Sequence, residues 1–159
     1  MRRPIFICLF FCFFIISCQS NSNPDTVALK FTRSFFVGIA HSRNSDFSTN
    51  SDLLSEALKP FEKGMCTQDV YSKIRNFYEQ PIYPALQWKE SFFANDHYKI
   101  MASFNEGSEK IYEIAAMNLT KKDTGSSKML LGLRVTVDTS SGKNPTVTDF
   151  KYGFVYHRP

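Results

Sequence analysis

The fold of this chain is built on the segment ALKFTRSFFVGIAHSRN, which runs from Ala28 to Asn44. Its apolar side chains recur every three or four residues, and this spacing places them on one face of an α-helix. The members of that face are Ala28, Phe31, Thr32, Phe35, Phe36, Ile39 and Ala40. A helix with so broad an apolar stripe must bury it against another layer of structure. We therefore expect this helix to pack on the concave side of a sheet.

We predict that this phenylalanine-rich helix begins at Asp25, a favourable cap residue. Two shorter helices are expected after it. Ser51 or Asp52 caps the second helix, whose apolar face runs to Phe61 with Gly64 just past its end. The alternative is an earlier end before Pro60, because proline disfavours helix at the residue before it. Thr67 caps the third helix. The helices thus occupy the first half of the chain.

After residue 84 the apolar period changes from helical to alternating, which predicts about five strands. They cover residues 86–92, 98–104, 111–119, 129–137 and 148–156. Short connections allow only antiparallel neighbours, because a parallel pair needs a crossover of about a dozen residues or more. The sequence therefore predicts an α+β fold in which N-terminal helices pack on a curved antiparallel meander sheet.

This order of elements, led by a phenylalanine-rich helix, resembles the NTF2-like, or cystatin-like, superfamily over roughly residues 25–156. The resemblance implies a cone with a pocket between the helices and the sheet. The family usually has a short strand between its second and third helices, where this chain offers only Lys63 to Thr67. If that strand is missing, a different helix-plus-meander fold is the alternative.

The first residues, MRRPIFICLFFCFFIISC, have the features of a secretory signal. The start is positive, and the apolar run over 5–16 is shorter than the roughly 20 residues that span a bilayer. The closing letters, IISC, resemble the lipobox of bacterial lipoproteins. The resemblance implies that residues 1–17 are a signal peptide that is removed, and that Cys18 carries the acyl chains of a membrane anchor. The alternative is a secreted protein cut near Ser17 with a free thiol at Cys18.

The chain after the signal is expected to comprise a flexible tether over 18–24 and one domain over 25–159. Gln19 follows the lipobox in place of the Asp that usually retains lipoproteins in the inner membrane. The expected location is therefore the outer membrane, with the domain facing the periplasm.

Charge and cysteine content narrow the classes of partner and cofactor. The formal charge falls from +4 to +2 once Arg2 and Arg3 leave with the signal, and the signs are mixed, which argues against nucleic acid as a partner. Apart from Cys18, the mature chain keeps only Cys66, for which we expect a buried, inert thiol, an exposed thiol being the alternative. Metal-ligand spacings are missing, so no metal or cofactor is predicted.

Candidates for acid–base chemistry are few. Asp96 and His97 are adjacent, and neighbouring residues point to opposite faces of a strand, so we expect them to lie exposed at a turn. Glu113 lies mid-strand and could act as a base if it were buried, although exposure is the simpler expectation. Asp149 and Arg134, on neighbouring strands, are expected to form an exposed ion pair.

Aromatic residues supply two candidate binding surfaces. Each tyrosine and tryptophan has an apolar body and a polar tip, so such residues suit a pocket rim as well as the core. The rim or core candidates are Tyr71, Tyr78, Tyr83 and Trp88. The last strand is aromatic and invites pairing if it lies at an edge of the sheet. The candidate contacts for a partner are Tyr152, Phe154 and Tyr156.

Together these patterns favour a lipid-anchored, non-catalytic periplasmic domain that binds an envelope protein or a small apolar ligand. NTF2-like domains occur in type IV secretion machinery, so envelope assembly or secretion is the context that the resemblance implies. One alternative is a small NTF2-like enzyme that uses a pocket acid or His as general base. A purely structural lipoprotein is the other.

Overall fold

Three helices precede four strands in the computed structural model, which describes residues 23–44, 51–62, 64–80, 97–120, 129–142 and 144–156. The helices are α1 (Pro24–Asn44), α2 (Ser51–Leu58) and α3 (Gln68–Glu79), and a 3₁₀ turn (Lys59–Phe61) extends α2. The strands are β1 (Tyr98–Glu106), β2 (Glu109–Thr120), β3 (Met129–Asp138) and β4 (Thr146–Tyr156).

Helix α1 starts one residue earlier than predicted, at Pro24. Asn23 is the cap: its side-chain Oδ1 accepts the N–H of Asp25 at 3.0 Å, and its carbonyl accepts the N–H of Val27 at 3.1 Å. Proline suits the first helical position because its missing N–H would have no intrahelical partner there. The predicted cap residue, Asp25, therefore lies inside the first turn.

The predicted apolar face of α1 is confirmed in full. All seven of its residues are at most 1% exposed. Thr32 is the polar member of this face, and its hydroxyl donates to the carbonyl of Ala28 at 2.9 Å, so its polar atom is satisfied within the helix.

Local signals also set the bounds of the shorter helices. The α-helical part of α2 ends at Leu58, and Pro60 lies in the 3₁₀ turn that follows. Gly64 comes next with φ +73°, a conformation that glycine adopts without a steric penalty. The predicted cap Thr67 accepts the N–H of Val70 on its side-chain oxygen at 3.4 Å.

The four strands form an open antiparallel sheet in the order β1-β2-β3-β4. One face of the sheet packs against the helices, and the buried core lies between the two layers. The predicted α+β class, with helices N-terminal to an antiparallel sheet, is confirmed. The strand predicted over 86–92 lies outside the described residues.

The described part of the segment between the 3₁₀ turn and α3 is hydrogen-bonded to the sheet at Val147. Cys66 forms an isolated parallel bridge with Val147 at the start of β4. Val147 donates its N–H to the carbonyl of Met65, and its carbonyl accepts the N–H of Thr67, both at 3.0 Å. The NTF2-like resemblance implied a short strand here, and in its described part, 64–67, the structure has this isolated bridge.

Candidate functional site

An aromatic cluster joins α1 to α3 and β4, with one ring each from the 3₁₀ turn and the start of β1. We define it as Phe31, Phe35, Phe36, Phe61, Phe77, Tyr78, Tyr98, Phe150 and Tyr152, whose rings contact one another. Phe35 is central: its ring centroid lies 5.0 Å from that of Phe150 and 5.2 Å from that of Phe77. Rings at such distances stabilise each other beyond the area they bury.

Tyr78, a candidate for a pocket rim or the core, belongs to the core. It is 2% exposed, and its hydroxyl donates to the carbonyl of Phe35 at 2.9 Å. Burial raises the pKa of this hydroxyl well above its usual value, so it stays protonated. Gly38 makes room for it, because a Cβ at position 38 would lie 2.1 Å from the tyrosine oxygen.

Tyr71 and Tyr152 are both half-buried against the core. Tyr152 was predicted to contact a partner, yet its ring turns toward the helices and lies 5.3 Å from the ring of Phe77. Phe150, two positions earlier on β4 and on the same face of the strand, also turns toward the helices, with its ring centroid 5.0 Å from that of Phe35. Tyr152 therefore takes part in the packing of the sheet on the helices.

For the other candidate residues, the structure describes only the backbone or lacks a description. Phe154 and Tyr156 belong to β4 by their backbone, which pairs with Leu131 and Met129 of β3. Tyr83, Trp88 and Cys18 lie outside the described residues.

The outer edge of β4 is partly engaged. Of the described residues, those that bind this edge are Met65 and Thr67, and both bind it at Val147. Lys73 of α3 reaches β4 through an ion pair with Asp149, with 2.8 Å between Nζ and Oδ1. The first third of β4 is therefore held by neighbouring segments, whereas 151–156 extend beyond these contacts.

A polar cluster holds the first turn of α1 to the sheet. The carboxylate of Asp25 accepts a hydrogen bond of 2.6 Å from the Tyr112 hydroxyl and one of 2.9 Å from Lys110 Nζ. The Lys110 ammonium also lies 5.0 Å from the centroid of the Tyr112 ring, within the range of a cation–π interaction. We call these three residues the Asp25 cluster.

The protonation states within the Asp25 cluster are well defined. The hydrogen bond from Tyr112, followed by that from Lys110, lowers the pKa of Asp25, and partial burial opposes the shift. Burial first, and then the Asp25 carboxylate, raises the pKa of Tyr112. At neutral pH Asp25 is therefore ionised and Tyr112 protonated, which suits a structural contact rather than a base.

Sequence reasoning did not find the Asp25 cluster. Lys110 and Tyr112 are two positions apart on β2 and so share a face, but Asp25 is 85 and 87 residues away from them. No local pattern joins residues so distant in sequence.

The predicted ion pair of Arg134 with Asp149 does not form, since both residues are described and each binds another partner. Arg134 lies opposite Glu113 on β2 and binds its carboxylate. On the β4 side the register places Lys151 opposite Arg134. Glu113, considered as a base, is instead the ion-pair partner of a guanidinium and only partly buried, with 21% of its side chain exposed.

Cys66 has the features of an unreactive thiol. It is half-buried, its Sγ lies 3.8 Å from the carbonyl oxygen of Phe61, and burial raises its pKa to about 11. Because the thiolate is the nucleophile, a thiol with this pKa reacts slowly at neutral pH. His97 is exposed, while Asp96 lies outside the described residues. Within the described ranges no three His, Cys, Asp or Glu side chains converge as metal ligands.

A groove opens beside the first turn of α1. Its volume is about 920 Å³, and it extends from α1 past the 3₁₀ turn to the loop before β4. The half-buried side chains of Val27 and Met65 line it with Pro145, whereas Lys30 and Lys59 are exposed along it. We call it the N-terminal groove.

None of the helices in the described ranges is long and apolar enough to span a membrane. Comparisons with protein families, curated proteins and solved structures found no match. The lipobox and the NTF2-like resemblance accordingly stay predictions from the sequence.

Proposed function

We propose that this protein is a lipid-anchored, non-catalytic domain of the bacterial cell envelope, held by Cys18 at the periplasmic face of the outer membrane. The observation that carries the proposal is the distance along the chain between the lipobox and the fold. The cap of α1, Asn23, is five positions after Cys18. Five extended residues span at most about 18 Å, so an acylated Cys18 would keep α1 close to the lipid surface.

The state of the titratable groups supports binding rather than catalysis. Tyr78 and Cys66 have raised pKa values and stay protonated at neutral pH. The carboxylates of Asp25, Glu113 and Asp149 each bind a cationic side chain. A general base must be able to reach a substrate and take its proton, whereas each of these carboxylates already accepts a hydrogen bond from its cationic partner. The enzyme alternative draws no support from them.

We assign the partner-binding surface to 151–156 of β4. Pairing at an open strand edge recruits an extended segment of another protein through main-chain hydrogen bonds. Val147 already uses its outer edge for Met65 and Thr67, so a partner strand would add beyond that point. This favours an envelope protein over a small apolar ligand as the partner.

The anchor is tested by mass spectrometry of the protein purified from membranes of its native host. We expect the N-terminal peptide to start at Cys18 and to carry two or three acyl chains, which together give stable anchoring. Cys18→Ser is the matched control and should lose both the acyl mass and the membrane association. An unmodified, soluble wild-type chain would refute the proposal.

The partner surface is tested by capture of envelope proteins with Phe154→Ala/Tyr156→Ala. Tyr152 is left intact because its ring packs in the core. Large aromatic residues are typical of the side chains that dominate interfaces, so capture should fall about tenfold or more. Phe104→Ala removes an aromatic ring that is 40% exposed on the opposite edge strand, and it should leave capture unchanged. Equal capture by the wild type and the β4 variant would contradict the assignment.

A further inference from the structure

The N-terminal groove lies at the end of the fold to which the proposed anchor is attached. Thr26 and Val27, in the first turn of α1, line it. Lys30 is six positions after Pro24, which is about 9 Å along the helix axis. A tether from Cys18 that spans at most about 18 Å therefore keeps the groove near the lipid headgroups.

The charges along the groove are uneven. Lys30 and Lys59 are exposed, and neither forms an ion pair with a described residue, in contrast to Lys73 and Lys110. Glu56 is the acidic residue that lines the groove with them, so positive charge is in excess. The carboxylate of Asp25 at the same end of α1 is already bound by Lys110.

We infer that the N-terminal groove faces the membrane and that Lys30 and Lys59 bind the headgroups of anionic lipids. The inference rests on the proposed lipid anchor and adds an orientation and a ligand class to it. An anionic lipid surface attracts each lysine near it, and the attraction declines within a Debye length. The anchor supplies the proximity, and the two lysines select which side of the domain meets the bilayer.

The test measures the reactivity of individual lysines in the full lipidated chain. The protein is purified from membranes and reconstituted into vesicles of phosphatidylcholine, either alone or mixed with phosphatidylglycerol. An amine-acetylating reagent is added, and mass spectrometry gives the rate at each lysine. Lys99 and Lys151 are internal controls, because they are exposed and their strand neighbours pack against the core, which turns these two lysines to the other face of the sheet.

We expect Lys30 and Lys59 to react about fivefold more slowly in the anionic vesicles than in the neutral ones, a factor that matches the attraction per lysine at such a surface. Lys99 and Lys151 should react equally in both. Raising the ionic strength from about 0.1 M to about 1 M shortens the Debye length from about 10 Å to about 3 Å and should remove the protection.

The acyl mass at Cys18 tests the anchor, and the lysine reactivities test the orientation of the groove, so the two can fail separately. If the N-terminal peptide carries acyl chains and all four lysines react equally in both vesicles, the groove inference is wrong and the anchor stands. If Cys18 carries no acyl chain, the anchor is wrong and the inference fails with it.

Discussion

Helix α1 is held to the rest of the protein in two different ways along its length. Its middle is buried in the aromatic cluster, where Phe31, Phe35 and Phe36 are fully buried. Its first turn is held by the Asp25 cluster, in which 42% of the Asp25 side chain and 28% of the Lys110 side chain stay exposed. The first contact buries apolar area, and the second consists of directed polar bonds.

The two contacts have different effects on α1: one supplies most of the binding free energy, and the other fixes its position on the sheet. Burial of aromatic surface contributes most of the free energy that holds the helix to the sheet, but it is non-directional. Partly exposed charged pairs contribute little, because water competes for them, yet their geometry is specific. We conclude that the aromatic cluster attaches α1 and that the Asp25 cluster sets where its first turn lies.

The strongest test of this comparison is Phe35→Ala. Removing this ring leaves a cavity among the rings of Phe77, Phe150 and Tyr152, so the free energy of unfolding should fall by about 3–5 kcal/mol. Urea unfolding measures the change. Phe104→Ala, at a ring that is 40% exposed, should change it by no more than about 0.5 kcal/mol. Similar losses in the free energy of unfolding at both positions would show that the aromatic cluster is not the main contact that attaches α1.

Gly38→Ala tests how tightly the cluster is packed without deleting a ring. The added Cβ would lie 2.1 Å from the Tyr78 oxygen, and the buried ring has little room to move, so we expect a loss of about 3 kcal/mol. Gly153→Ala is the matched control, because its Cβ would meet nothing within 4 Å. A neutral Gly38→Ala would show that α1 and α3 adjust their spacing freely.

Two hydroxyl deletions compare the clusters directly by their thermal or urea stability. Tyr112→Phe removes a hydrogen bond to a carboxylate, and after allowance for the exposure of Asp25 we expect a loss of about 1–2 kcal/mol. Tyr78→Phe removes a bond to a helix carbonyl and should cost about 1 kcal/mol. A larger loss for Tyr78→Phe than for Tyr112→Phe would show that the bond to the Phe35 carbonyl contributes more to stability than the bond to the Asp25 carboxylate.

The smallest expected effect is the pH dependence of the stability losses caused by Tyr112→Phe and Tyr78→Phe. The pKa of Asp25 is lowered in the folded state, so its stabilising contribution is complete above its unfolded pKa of about 4 and is lost as the pH falls through the lower folded value. The difference in stability between the wild type and Tyr112→Phe should therefore shrink below about pH 4. The difference for Tyr78→Phe should stay constant, since its acceptor does not titrate. A Tyr112→Phe difference that is independent of pH would exclude the ionised Asp25 as the acceptor.

Local sequence patterns predicted those features of the structure that depend on residues close together in the chain. The spacing of apolar residues identified seven buried side chains of α1, and Thr67 was predicted correctly as the cap of α3. The cap of α1 was misassigned because Asp25 and Asn23 are both good cap residues. Asp25 instead uses its side chain for Lys110 and Tyr112, which only the fold brings near.

Side-chain partners across the sheet depend on register, which the alternating pattern does not fix. A register shift between Thr136 and Val137 sets how β3 meets β4, and it places Arg134 opposite Lys151. Alternation likewise shows that Tyr152 shares a face with its alternate neighbours, but it does not show which face meets the helices.

The sequence by itself determined the helices, the four strands of the described sheet and the α+β class, because propensity, capping and apolar periodicity act over a few residues. Only the tertiary structure decided that Tyr78 is a core residue, that Asp25 binds β2, and that Lys30 and Lys59 share a groove. These outcomes depend on pairs of residues far apart in the chain, and their contacts exist only once the helices have packed on the sheet.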